Sequence, residues 1–525
     1  MPFTQNEIDF RGSLFDFTGG LNDRAQNTHI KENQASAIQN MIFKTYGPIS
    51  TRNGYTEVNS SNISNNGIYG LAPYVQYDGT RFFLAVNDTK LYKLSGASWA
   101  EVGSGLTSNQ YTDIIYVGGD AYLANGNENL QKFDGSTMAT TGEYPASPCS
   151  YLVSLHNPPR IIAARGKDYI GRYYWCDAGS FSTWDVASYE ELPNGDEIMG
   201  VGVLFGRYVI FGKDSIWMII GTDPASWELR MVNSSVGLAA PRSVAYVQGE
   251  LWFAARDGIY ALGGMSSDSG TAYSFDAIGT RKVSKNIQGT WDTINQDALQ
   301  LAAAGVLDNK YELSVAISPA SVNDHTLYCD TNIGGRDSYP WSVFDYGFRL
   351  FANYQAGNYS ELYAGENQVG KVHKLRTGTS DNGAAIDWSY ATKYFDAGIE
   401  EYNKCLEDLF IWAEASGDWN VTLGYTIDFQ SDTGGYSDSN LSLSAGMAGW
   451  GTMIWGVDEW RAGVDAKVMK RFFNTGDYGF TPYAGQELKK RGRNIRFKIS
   501  GSTKDQYCTL IGLVLSGTIT DKQTS

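Results

Sequence analysis

Cysteine, histidine and proline are scarce in this chain, with five, four and thirteen residues among 525. Cys149, Cys176, Cys329, Cys405 and Cys508 are odd in number, far apart and without a CxxC-like pair. Buried reduced thiols are therefore expected, and a disulfide framework or a zinc site is not. His29, His156, His325 and His373 stand apart from one another, which leaves a zincin helix, a His/Cys cluster and a Ser-His-Asp arrangement without support. A GxxxxGK[ST] loop and a strand-borne GxGxxG are also missing, against nucleotide chemistry. No cofactor and no metal are expected.

Long hydrophobic runs are absent too. None approaches the roughly 18 apolar residues that span a bilayer, so no membrane anchoring is expected. The opening MPFTQNEIDFRGSLF has neither a basic start nor an apolar core and does not read as a secretory signal. Synthesis and assembly in a cytoplasm follow as an expectation. Positive charge is in deficit, with 41 Lys and Arg against 57 Asp and Glu and a formal net charge of -16. Wrapping of nucleic acid, which is driven by cations displacing counterions from phosphates, is thereby disfavoured. A passive wall beside DNA is still allowed.

What the chain does have is 34 Tyr, 14 Trp and 59 Gly, the composition of many short strands joined by Gly, Asn, Asp and Ser turns. The expected class is all-β. Residues 1–60 have low periodicity and read as an N-terminal arm, with an ordinary first strand pair as the alternative. One stretch there, NQASAIQNMI, is helix-compatible, with Ala35, Ile38, Met41 and Ile42 on one face.

From about residue 61 a theme recurs: an alternating apolar run, a Gly/Asn/Asp turn, a second run ending in an aromatic, and another turn. Copies run from Gly67 to Gly103, from Thr112 to Gly135, and onward from Val201, Ser243 and Glu361. Diverged stretches such as YLVSLHNPPRIIAARGKDYIGRYYW read as further copies with insertions. A repeat of about 40 to 50 residues is the propeller interval, and a single copy cannot bury both faces of its sheet, so copies must stack around an axis. A β-propeller-like domain over 61–375, of six to eight blades, is expected.

After the polar stretch RTGTSDNGA the runs lengthen. In NIRFKIS, Ile495, Phe497 and Ile499 face one way and Arg496, Lys498 and Ser500 the other, the mark of a half-buried strand. A β-sandwich-like domain over 376–525 is the simplest account.

Several phrases are familiar in this order. Gly19, Gly20, Leu21 and Asn22, then Asn33, Gln34 and Ala35, then Gly47, Arg52, Gly54 and Tyr55 resemble the opening of a group of phage virion proteins. LYKL, DGIYAL and LYAGENQVGKVHKL resemble their propeller region, and RGRNIRFKISG resembles their closing β-domain motif. The resemblance is to β-propeller tail proteins of tailed phages, of the nozzle or tail-hub, DNA-stabilisation kind. It implies a structural protein of the virion tail and not an enzyme, with no catalytic residues to carry over. It implies a ring of identical copies, a hexamer, below the portal and adaptor. Adaptor, other tail proteins and tail fibres would be its partners, and phage DNA would pass through without sequence-specific binding.

SSDSGTAY, from Ser266 to Tyr273, matches a sialidase-type box once, with Ala272 and Tyr273 in place of Thr and Trp. Such boxes are structural turns. A glycosidase needs two carboxylates across a groove, and with 57 acidic residues no pair stands out. Asp432 and Asp438 could offer oxygen ligands to calcium, but a solvated acidic loop is the preferred reading. Lys489, Lys490, Arg491, Arg493, Arg496 and Lys498 put six cations within ten residues of an acidic protein. They could face DNA in a lumen or an acidic neighbour, or be an ordinary solvated strand face. Trp175, Trp184, Trp217 and Trp252 are expected to fill spaces between blades, with sugar stacking as the alternative. Two other functions remain open: a receptor- or glycan-binding tail-tip protein, and a propeller glycosidase.

Overall fold

The computed structural model describes residues 8–26, 28–59, 62–264, 278–335, 338–415, 420–428, 436–442, 467–472 and 491–522. It is all-β apart from one short α-helix and three 3-10 turns among the described residues. The chain forms two compact units. One comprises 55–332 and 344–377, the other 1–54, 333–343 and 378–525. The expected breaks at 60/61 and 375/376 thus fall within six and two residues of observed ones, while residues 1–54 belong to the same unit as the C-terminal segment.

The larger unit is a succession of antiparallel sheets, the first five each made from four consecutive strands. The first sheet holds Ile68–Val75, Arg81–Asn87, Lys90–Ser95 and Ser98–Ser104. The second, third, fourth and fifth begin at Asp113, Cys149, Ile198 and Ala245 and have four strands each. The sixth contains Ala303–Leu307, Lys310–Val315 and His325–Asp330. In the seventh, Leu350–Tyr354, Glu361–Gly365 and Val372–Leu375 are joined by Tyr55–Glu57 as fourth strand, with Leu375 opposite Tyr55 and His373 opposite Glu57.

Second strands such as RFFLAVN and ELWFAA are apolar almost throughout because both of their faces are covered. Ile161 and Ala163 point into the cluster shared with the second sheet, whereas Ile162 and Ala164 point into the one shared with the fourth. Val209 and Phe211 pack toward the fifth sheet, and Tyr208 and Ile210 toward the third. Neighbouring first strands lie side by side from Ile68–Val75 to Ile198–Leu204, and Ile198–Leu204 meets Glu250–Ala255. Ala245–Val247 then meets Ala303–Leu307, Ala303–Leu307 meets Leu350–Tyr354, and Leu350–Tyr354 lies against Ile68–Val75. The order of neighbours returns to its start, and Ile68 and Phe83 share a buried cluster with Leu350, Tyr363 and Val372.

In the smaller unit one sheet is ordered Lys467–Phe472, Tyr402–Ala415, Cys508–Lys522, Ile49–Thr51, Met41–Phe43, with Ile8–Leu14 also on Cys508–Lys522. The other carries Gln34–Gln39, Ile386–Thr392, Ile495–Thr503, Asn420–Ile427 and Tyr436–Ser442 in that order. The helix expected around Ala35 to Ile42 is therefore replaced by the strands Gln34–Gln39 and Met41–Phe43. A register shift between Ala35 and Ala37 and a left-handed Asn40 at φ 55 interrupt the two-residue period. Apolar positions then fall three and four apart, which imitates a helix.

That corner is held by ionic hydrogen bonds. Arg52, whose side chain is only 1% exposed, donates to both carboxylate oxygens of Asp381 at 2.7 and 2.6 Å and through Nε to Asn40 at 2.8 Å. Two residues on, a Cβ on Gly54 would lie 1.9 Å from the Ser380 carbonyl oxygen, so glycine is the residue that fits. Replacing Arg52 with Ala leaves Asp381 enclosed without its fork, and unfolding titrations should show a loss of about 3–5 kcal/mol. Lys90→Ala, which breaks the exposed pair with Glu101, should leave the curve unchanged.

Candidate functional site

The larger unit holds a cavity of about 710 Å³, within the range of small-ligand sites. Its wall repeats one position of the sheet theme. Asn125, Arg165, Lys213 and Arg256 line it, each at or just beyond the end of the second strand of sheets two to five. Residues entering the first strands supply the rest, among them Tyr111, Glu197 and Arg242, and Gln296, Asp297 and Gln300 come from the segment before the sixth sheet. Four cations thus meet two carboxylates.

Arg165 and Arg242 of this wall are differently placed, and Arg349 stands outside it. Arg165 reaches Glu197 at 2.6 Å through Nη2 and 3.2 Å through Nε. Arg242 is fixed through its backbone, whose carbonyl accepts from the Ala304 amide at 2.9 Å. Its guanidinium lies 3.5 Å from the Tyr111 ring centre. Arg349 caps Tyr69 at 4.2 Å and lies 5.6 Å from the same Tyr111 ring, while donating to the Asn367 carbonyl. The Arg242 guanidinium has no hydrogen-bond or carboxylate partner among the described residues. Burial holds its pKa below the usual arginine value, against the opposing pull of Tyr111, Tyr151 and Asp113.

Asp113 acts on Arg242 from a distance. Its Oδ2 accepts from the Leu152 amide at 2.8 Å, yet burial outweighs that bond and the field of Arg242, and its carboxyl is raised above the ordinary value of 3.8. Both groups are less hydrated than in water, the condition under which an added counter-charge is most strongly felt.

Of the six cations singled out in the sequence, Lys489 and Lys490 lie outside the described residues, as does the side chain of Arg491, whose backbone pairs with Cys405. Arg493 is exposed beside a second cavity of about 330 Å³, together with Lys393, Asp396 and Lys404. The Arg496 guanidinium lies 5.3 Å from the Tyr394 ring centre, and Lys498 is exposed. Ile495, Phe497 and Ile499 are buried opposite them, as the alternation requires.

The box from Ser266 to Tyr273 and Asp432 fall outside the described residues, as does the side chain of Asp438. Cys149, Cys176, Cys329 and Cys508 are buried free thiols, and the side chain of Cys405 lies outside the described residues. No group of three metal-ligating side chains occurs among the described residues. Trp184 and Trp217 fill clusters shared by adjacent sheets, with Trp175 packed against the latter's, and Trp252 lies 5.2 Å from Tyr311 of the sixth sheet. Trp184 does so from a loop and not from a strand.

The cavity residues escaped the sequence reading because each is an unremarkable polar residue by itself. Aligning the copies at the end of the second strand would have placed Asn125, Arg165, Lys213 and Arg256 in one column. No family model and no curated protein matches the sequence.

A raised carboxyl stabilises the fold below its unfolded pKa and loses that contribution as pH rises through its folded value, because the folded state must then hold a poorly hydrated anion. Asp113→Asn keeps an acceptor for Leu152 and removes that anion. Thermal melts should find the variant more stable than the parent at pH 7 and equal to it below pH 3.8. A less stable variant at pH 7 contradicts the assignment.

Proposed function

We propose that this chain is a structural protein of a tailed-phage virion, a nozzle or hub subunit of the tail. The fold we infer is a seven-bladed β-propeller carrying a β-sandwich-like domain. The observation that carries the fold is the cyclic order of neighbouring sheets, with the seventh completed by Tyr55–Glu57. That closing strand begins at Tyr55, the last residue of the Gly47, Arg52, Gly54 and Tyr55 motif on which part of the resemblance to phage tail proteins rests. The rest of the motif is structural as well. Gly20, at φ 67, lies so close to Pro340 and Trp341 that a Cβ would stand 2.5 Å from the Trp341 nitrogen, and Asn22 donates to Gln34 at 2.8 Å. Residues kept for architecture suit a protein whose work is geometric.

Such a protein acts by closing a ring: identical subunits meet head to tail and close at one copy number, six by the resemblance. Adaptor and fibre proteins would bind its two ends. A surplus of negative charge suits a wall along which DNA slides, because like charges prevent adhesion. A reconstruction of the virion should show this chain as a ring between the portal and adaptor and the tail end, with an acidic or neutral lumen. Its absence from the tail, or a uniformly basic lumen, overturns the reading.

A further inference from the structure

The cavity of the larger unit has a feature that a passive wall does not require: a half-buried arginine held in place with its fork unused. We propose that this cavity binds a carboxylated sugar, with Arg242 taking the carboxylate. Tyr111 fixes the plane of the guanidinium from one side at 3.5 Å. A planar fork whose orientation is set in advance loses little freedom on pairing with a planar, bidentate acceptor, and that favours a carboxylate. Arg165 is already committed to Glu197, so Arg242 is the cation free to take the anionic group at depth. Lys213 and Arg256 are exposed.

The remaining lining separates a sugar from other anions. A phosphate or an acidic peptide takes donors on all sides, whereas Glu197 and Asp297 put acceptors into this wall. Hydroxyl groups donate as well as accept. They can therefore use Glu197, Asp297 and the amides of Gln110, Gln296 and Gln300, whose side chains bear no hydrogen bond among the described residues. A ligand with one carboxylate and several hydroxyls satisfies this wall, and a volume of about 710 Å³ admits one or two sugar rings. The inference is independent of where in a virion the chain resides.

Isothermal titration of the full-length protein tests it with galacturonate, glucuronate and N-acetylneuraminate disaccharides. Neutral digalactose, inorganic phosphate and triglutamate serve as comparisons. At least one acidic disaccharide should bind, at least tenfold more tightly than digalactose, phosphate or triglutamate. Arg242→Gln should weaken it tenfold or more while the circular dichroism melt is unchanged. Gln300→Leu, at the exposed mouth, should weaken it severalfold and serves if Arg242→Gln does not fold. The proposal falls if none of the acidic sugars binds, if phosphate or triglutamate binds as well as they do, or if the folded variants bind like the parent.

Discussion

The pairing of Tyr55–Glu57 with Val372–Leu375 is the constraint on which the larger unit depends. Sheets one to five are built from chain neighbours, so each can form as a local meander. The seventh cannot, because its fourth strand comes from the far end of the unit. Joining residues so distant along the chain costs loop-closure entropy before any contact repays it, and the compensation is visible around the join. Tyr55 packs edge-on against Tyr346, Phe348 and His373 at 5.1 to 5.9 Å, Glu57 pairs with Lys371 at 2.6 Å, and His373 meets Glu366 at 2.6 Å while almost fully buried.

The same dependence puts close demands on the residues just before the join. Arg52 must fork onto Asp381, Gly54 must leave room for Ser380, and Tyr55 must begin the closing strand. Three demands within four residues leave little latitude for substitution. Much of the fold was legible for a simple reason. Strands covered on both faces must be apolar at every position, and RFFLAV, YVIF and LWFAA announce themselves. NIRFKIS, covered on one face, alternates.

Where the reading failed, two local irregularities had altered the period. The shift at Ala35 to Ala37 and the left-handed Asn40 space Ala35, Ile38 and Met41 as a helix would, and no propensity argument separates the two cases without knowing that Arg52 awaits Asn40. The cavity was hidden by another cause. Its polar residues are single members of separate repeats, and a site assembled from one residue per repeat has no linear motif. It exists only after the sheets are brought side by side.

That arrangement also resolves an electrostatic oddity. A chain with net charge -16 concentrates four cations against two acids in one enclosed place, so the remainder is more acidic than the whole. Coulomb repulsion from that remainder acts over about 8–10 Å at physiological salt and bears hardest on extended polyanions such as nucleic acid. Inside the cavity, where Arg242 is already poorly hydrated, a negative charge meets a much stronger local field. A small, singly charged, hydroxylated ligand suits both the positive charge and the acceptors of this wall. A net-acidic chain and a locally basic cavity are thus compatible within one protein.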